Sequence, residues 1–271
     1  MHRGIYEAAS GMIVQETNLD VVTNNLANVD TAGYKRRVNA NADFSALLDR
    51  IEKVSEDTET KLTTVLPADM PFKGRQIIGS LALATVFSED VMDTSPGVVK
   101  TTENPLDMAI DGPGFFSVAD NAGNTFYTRA GNFTLDNAGN IVTPNGMFLQ
   151  GEGGNLTVGG EARTIEVNRT GQIIVNNEVV GRVSVFNFAN PTYLKHEARN
   201  LLTPTEASGD PEPVEVENIK IWSEAYETSN VSVVEEMVRM IEAQRVYEGA
   251  SKALMTHDEQ TSKLITSYSR G

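Results

Sequence analysis

Residues 231–254 read VSVVEEMVRMIEAQRVYEGASKAL, and the spacing of their apolar side chains decides the fold class. Val233, Met237, Met240, Gln244, Tyr247, Ser251 and Leu254 step by 4, 3, 4, 3, 4 and 3. An α-helix turns once in ~3.6 residues, so this alternation gathers them on one narrow stripe, and no proline interrupts it. Ser232 and Glu235 have the spacing of a capping box, in which hydroxyl and carboxylate satisfy the free amides of a first helical turn. The pattern predicts a helix over about 231–268, weakened at Gly249.

The other end of the chain repeats the design. Ile5, Met12, Leu19 and Leu26 recur every seven residues; Ala8, Val22 and Val29 fill the second series, with Gln15 its polar member. Gly33 reads as a stop signal, because glycine accepts the left-handed conformation found past helix ends. Two such helices suit an antiparallel coiled coil if the middle of the chain folds separately between them; the alternative is two surface helices on one globular core. With Ile5 placed near Ile265, Asn25 faces Gln244 and Arg245. Asn24, Asn25 and Asn28 are weak helix formers. They either end the helix or form hydrogen bonds within or between subunits, where a buried amide fixes register.

From Pro71 to Trp222 the pattern changes to short β-branched and aromatic runs, at 115–118, 125–128, 132–135, 141–143, 147–150, 164–167, 172–175 and 183–188. Asp120-Asn121-Ala122-Gly123-Asn124 recurs as Asp136-Asn137-Ala138-Gly139-Asn140, and Asn168-Arg169-Thr170-Gly171-Gln172 is a looser third copy. Asn and Gly accept the positive φ of tight hairpins, so each copy predicts a connection between antiparallel strands. The expected fold is α+β: terminal helices packed as an antiparallel coiled coil, and a central all-β, hairpin or barrel-like domain. The expected boundaries are 1–38 for the first helix, 39–71 for a linker with a short helix, 72–222 for the β-domain and 223–271 for the second helix.

Composition narrows the function classes. In 271 residues, 22 Lys and Arg stand against 37 Asp and Glu, a net charge of −15 that opposes a nucleic-acid partner. Glu206, Asp210, Glu212, Glu215, Glu217, Glu224 and Glu227 form an acidic run read as a solvated surface. No run approaches the ~18 apolar residues of a membrane span, so membrane insertion is not expected. With no cysteine, thiolate metal sites and disulfides are excluded. The N-terminus lacks the succession of a cleavable signal peptide, so export would need another route. His2, His196 and His257 have no ligand spacing, and Gly151-Glu152-Gly153-Gly154 lacks the Lys-Ser or Lys-Thr of a phosphate loop. The Asp/Asn/Gly turns lack the calcium-loop spacing. No catalytic, cofactor-binding or metal residue is therefore assigned. A pair of acidic residues acting on glycan is the enzymatic rival, and a β-domain adhesin the other.

Ala8-Ala9-Ser10-Gly11-Met12, Asn24-Asn25-Leu26-Ala27-Asn28 and Thr31-Ala32-Gly33-Tyr34-Lys35 resemble the N-terminal signature of the flagellar rod and hook family. Ser229-Asn230-Val231, Glu235-Glu236-Met237, Ala243-Gln244-Arg245 and Tyr247-Glu248 resemble its C-terminal motif. Asn104-Pro105-Leu106-Asp107, Asp111-Gly112-Pro113-Gly114-Phe115-Phe116 and Tyr127-Thr128-Arg129 resemble its β-domain motifs. Within the family the likeness is to the proximal and distal rod proteins, with the length and the Met1-x-Arg3-Gly4-Ile5-Tyr6 opening favouring the proximal one. The resemblance implies a non-enzymatic subunit of the basal-body rod, polymerising with its own copies and with neighbouring rod and hook proteins. It also implies delivery to the cell envelope through the flagellar type III export apparatus without signal cleavage. The expected self-assembly residues are Ile5, Met12, Leu19, Val22, Asn24, Asn25, Leu26, Asn28, Met237, Met240, Gln244, Arg245, Tyr247 and Leu254. Phe44 and Leu48 resemble the short apolar motif that engages the export gate; the alternative is a small core helix.

Overall fold

The computed structural model describes residues 3–43, 85–159, 164–198, 200–216 and 219–268. Helix α1 (Arg3–Ala27) opens the chain and α2 (Val233–Tyr268) closes it, with β-structure between, so the fold is α+β as expected. The helix α1 ends six residues before Gly33. Asn28 Nδ2 donates to the carbonyl of Asn24 at 2.9 Å and its Oδ1 accepts from the Thr31 hydroxyl at 3.2 Å, which turns the chain away. Gly33 serves a different need: it lies at φ +64°, and a Cβ there would sit 2.1 Å from the backbone nitrogen of Ala130.

The strands follow in order. In a two-stranded sheet of their own, β1 (Arg37–Asp43) pairs with β2 (Thr85–Met92). Then come β3 (Val99–Thr101), β4 (Met108–Ile110), β5 (Phe115–Ala119), β6 (Thr125–Thr128), β7 (Thr134–Leu135), β8 (Ile141–Val142), β9 (Phe148–Gly151) and β10 (Gly154–Asn155). The rest are β11 (Ile165–Val167), β12 (Gln172–Val175), β13 (Glu178–Arg182), β14 (Val185–Asn187), β15 (Lys195–Ala198), β16 (Leu201–Thr203), β17 (Glu212–Pro213), β18 (Ile221–Ser223) and β19 (Ala225–Glu227). Among the described residues the main sheet runs β15-β16-β6-β5-β9-β8-β7, with β14 joining β5 to β17. The last two strands return to the first of the body: β18 lies antiparallel on β4, and β19 on β3 with Glu227 opposite Val99.

The repeated turns behave as their sequence dictates. Asp120 Oδ1 accepts from the amides of Ala122 and Asn124, both at 2.8 Å, and its other oxygen from Asn124 Nδ2; Asp136 does the same with Ala138 and Asn140. Gly123 and Gly139 take φ of +88° and +82° to close these loops, which join β5 to β6 and β7 to β8. The third copy joins β11 to β12 with Asn168 Oδ1 accepting from Thr170 and Gln172.

Strand β5 is buried along its whole length because it has a core on each face. Phe116 and Val118 point to a large cluster with Met108, Phe133, Ile141, Leu149, Ile173 and Ile221. Phe115 points the other way, to Tyr127, Phe188, Leu194 and Leu202. Burying one such aromatic side chain contributes about 1.5–3 kcal/mol, so this double core makes β5 the anchor of the body.

Two compact units emerge from the contacts: Val22–Val38 with Asp90–Met237, and the described parts of Met1–Val21, Asn39–Glu89 and Val238–Gly271. The first holds the β body together with the last turn of α1 and the first turn of α2. In it the two helices pack together, Asn25 donating to the Glu236 carboxylate at 3.2 Å. Asn25 therefore meets α2 more than two turns before Gln244 and Arg245, the expected partners; both of those are exposed. The expected capping box is not among the hydrogen bonds of the described residues. Glu235 instead approaches Arg36 at 3.8 Å, and two residues ahead of the helix the Val231 amide donates to Ser229 Oγ.

Candidate functional site

Three distant stretches of sequence converge on one buried carboxylate. Because β19 pairs with β3, Glu227 is carried beneath residues 95–99, where it is 3% exposed. Its Oε1 accepts from Lys35 Nζ at 2.6 Å and from the Gly97 amide at 2.7 Å, and its Oε2 meets Arg129 Nε at 3.0 Å. Lys35 also reaches the Ser95 carbonyl, and the two terminal nitrogens of Arg129 reach the carbonyls of Gly112 and Gly114. Burial pushes the Lys35 ammonium and the Arg129 guanidinium below their ordinary values, with Glu227 opposing the shift. Charges so far from water persist only when paired and hydrogen-bonded, and each of these nitrogens has a partner.

Beside this lock lies a second network. Asn25, 1% exposed, uses all four of its hydrogen-bonding positions: Oδ1 accepts from the Tyr34 hydroxyl and the Arg37 amide, and Nδ2 donates to the Arg37 carbonyl and to Glu236. Burial, chiefly, pushes the Tyr34 phenol up to about 12. Arg36 pairs with Asp93 at 3.0 Å, and Asn230 donates to the carbonyls of Asp93 and Ser95 while accepting from the Arg36 amide. The segment leaving α1 and the segment entering α2 are thus both fastened to the β body.

The expected assembly residues fall into distinct environments. On α1 the fully buried positions are Val14, Val21, Val22 and Asn25; Met12, Leu19 and Leu26 are half-buried and flank that stripe on the side of Val22. Asn24 is exposed and Asn28 half-buried, and these two form the helix-ending contact. Ile5 lies within α1. On α2 the inward face is Glu236, Met240, Ala243, Tyr247, Ser251 and Leu254. Met237 and Gln244 are rotated out of it, so the sequence stripe was one position off at two of its turns. Arg245 is exposed too. Val234, Met237, Val238 and Ile241, between 49% and 72% exposed, make a second apolar face on the side of α2 away from the packed one. Phe44 and Leu48 lie outside the described residues.

Sequence reasoning missed Glu227, Arg36 and Asp93. Glu227 had been grouped with the solvated acidic run; Glu206, Asp210, Glu212, Glu215 and Glu224 are indeed exposed, whereas Glu227 is the lock's acceptor. The available signal was position: it ends the last strand two residues before Ser229-Asn230-Val231. Among the described residues no group of three or more His, Asp or Glu is placed to hold a metal.

Fold and junction together define a class: a β body to which both chain ends are fastened as helices, each with apolar side chains on more than one face. Family comparison agrees region by region. Residues 5–35 match the flagella basal body rod protein model, 109–175 the flagellar hook protein FlgE/F/G D1 domain, and 223–267 the flagellar basal body rod FlgEFG protein C-terminal model. The flagellar basal-body rod protein FlgG of Agrobacterium fabrum is 35% identical over 96% of this chain and 97% of its own length. FlgG of Caulobacter vibrioides is 33% identical over 93% and 94%, and FlgF of the same organism 28% over 94% and 93%. The chain belongs to the flagellar basal-body rod protein family and is a structural subunit of the bacterial flagellar rod. The motifs matched at both ends contain Lys35, Asn25, Glu227 and Glu236, the residues that build the two networks.

Proposed function

We propose that this subunit polymerises through its terminal helices into the axial drive shaft between motor and hook, with its β body outward, and that it catalyses no reaction. One observation carries this: α2 has apolar faces on both sides, and among the described residues Val234, Met237, Val238 and Ile241 on one of them are exposed. A helix that is apolar on both sides needs partners on both sides. In a helical polymer that second partner is a neighbouring copy, through a heterologous contact that does not close on itself. Met12, Leu19 and Leu26 on α1 and Met237, Gln244 and Arg245 on α2 are the proposed contact residues. The proposed division is 1–38 and 223–271 for the axial core segments that carry the two helices, 39–71 for the linker and 72–222 for the β-domain.

Neighbouring rod and hook proteins are the other proposed partners, and the position along the rod is that of the FlgG relatives, whose identity exceeds that of the FlgF relative. Export proceeds through the flagellar type III apparatus without signal cleavage, with Phe44 and Leu48 engaging the gate. The test is complementation of a strain lacking the gene. Met12→Asp or Leu19→Asp should leave the protein exported but basal bodies without a complete rod in electron micrographs, since it puts an unpaired charge in the seam. Normal rods and motility with either substitution would overturn the reading.

A further inference from the structure

The β body contains a cleft of about 510 Å3 floored by Lys35, Glu227 and Arg129 and walled by Pro96, Val99, Ile110, Pro113, Phe115 and Trp222. Trp222, the chain's only tryptophan, is 56% exposed at this cleft, and Val98 and Val99 are 75% and 49% exposed. Trp222 also lines a second hollow of about 280 Å3 with Arg169 and Lys220. Both cations are exposed, and among the described residues neither has an ion pair. An exposed aromatic anchor with charged groups beside it, over a floor already fixed by hydrogen bonds, has the anatomy of a preformed protein interface.

The same chain carries a segment of matching chemistry. Residues 209–215 read GDPEPVE, with Asp210, Glu212, Pro213 and Glu215 exposed. Extended proline-bearing segments dock into aromatic-lined grooves because little chain entropy is left to lose. Copies of a chain with net charge −15 repel one another, so a contact between their β bodies is favoured where carboxylates of one meet cations of the other.

We propose that the Trp222 cleft receives the acidic, proline-bearing 209–215 segment of a second copy, its prolines against Trp222 and its carboxylates against Arg169 and Lys220. On its own chain the segment borders the cleft, Glu212 standing opposite the lining residue Asn187 in the β14–β17 pair. The proposal rests on the polymer reading above and adds to the helices a contact between β bodies.

Trp222 reports on its own environment in the full-length chain. On assembly its emission shifts to shorter wavelength and its quenching by acrylamide falls several-fold. Arg169→Glu with Lys220→Glu, and separately Glu212→Lys with Glu215→Lys, each raise the critical concentration for polymerisation at least about tenfold. Both variants keep the wild-type melting temperature, the substituted groups being exposed. Mixed in equal amounts, they recover assembly, because every contact in an alternating polymer then pairs opposite charges. The proposal is overturned if Trp222 is as quenchable in the polymer as in the free chain, or if the mixture assembles no better than its parts. A wild-type chain that never polymerises would overturn the polymer reading itself, and this contact with it.

Discussion

Replacing Glu227 by Ala removes the one anion of the buried lock and leaves Lys35 and Arg129, 3% and 8% exposed, without a counter-charge. It also orphans the Gly97 amide, which donates to Glu227 at 2.7 Å. Breaking a buried ion pair from one side costs about 3–5 kcal/mol, against a typical domain stability of about 5–15 kcal/mol. For a domain of 150–250 residues each kcal/mol moves the melting temperature by about 2–4 °C, so a fall of roughly 6–20 °C is expected. Circular dichroism melts of wild type, Glu227→Ala, Glu227→Gln and the exposed control Glu212→Ala make the comparison. Glu227→Gln keeps the side chain's volume and removes its charge, so most of the loss should persist; Glu212→Ala should stay within about 0.5 kcal/mol. Adding Lys35→Met to Glu227→Ala should restore part of the stability, since one stranded charge is then gone. Glu227→Ala melting within about 2 °C of wild type would refute the idea that this carboxylate fastens the ends to the body.

Asn25→Ala takes one hydrogen-bond partner each from Tyr34, Arg37 and Glu236, so a double-mutant cycle with Glu236→Gln should give a coupling of about 0.5–3 kcal/mol; additive losses would remove the Asn25–Glu236 contact from the account. Gly33→Ala forces a Cβ into the backbone of Ala130 at a left-handed position and should cost about 2–4 kcal/mol in a denaturant titration, where an unchanged midpoint would contradict the close approach. Acid should destabilise the fold below about pH 4. Burial raises the Asp93 carboxyl, but hydrogen bonds from Ser95 and the Arg36 charge outweigh it and hold it below the ordinary 3.8; Asn124 and Asn140 lower Asp120 and Asp136. Depressed values contribute stability that is present above the ordinary pKa and lost as pH falls through the folded one. Melts from pH 7 to 3 should show that loss, reduced in an Asp120→Ala, Asp136→Ala variant; an equal acid loss in the variant would contradict the assignment to these turns.

What could be read from the sequence was what local periodicity and turn chemistry encode. Helix α2 and the three Asx-type hairpins needed only spacing and the positive φ that Gly123, Gly139 and Gly171 accept. Strands β3, β4, β18 and β19 were not read, being three residues each and held by partners more than a hundred positions away. The stripe on α2 was displaced at Met237 and Gln244 because both sides of that helix are apolar. Periodicity shows that such faces exist, but the neighbour selects which is packed. Glu236 lies inward because Asn25 meets it there, and no rule local to 231–254 identifies a carboxylate as the buried residue. Glu227 was concealed by composition: in an acidic run, only the pairing of β19 with β3 distinguishes it from Glu224, which is exposed.

The apolar face of α2 that is exposed among the described residues is what ties this fold to polymerisation, and sedimentation velocity of the purified full-length chain across a concentration series tests it most directly. Met237→Asp with Ile241→Asp lies on that face at exposed positions, so the β body should melt as wild type does. The account predicts that this variant stays monomeric at concentrations where the wild type forms long polymers. Polymers forming at the wild-type concentration with both carboxylates in place would contradict it.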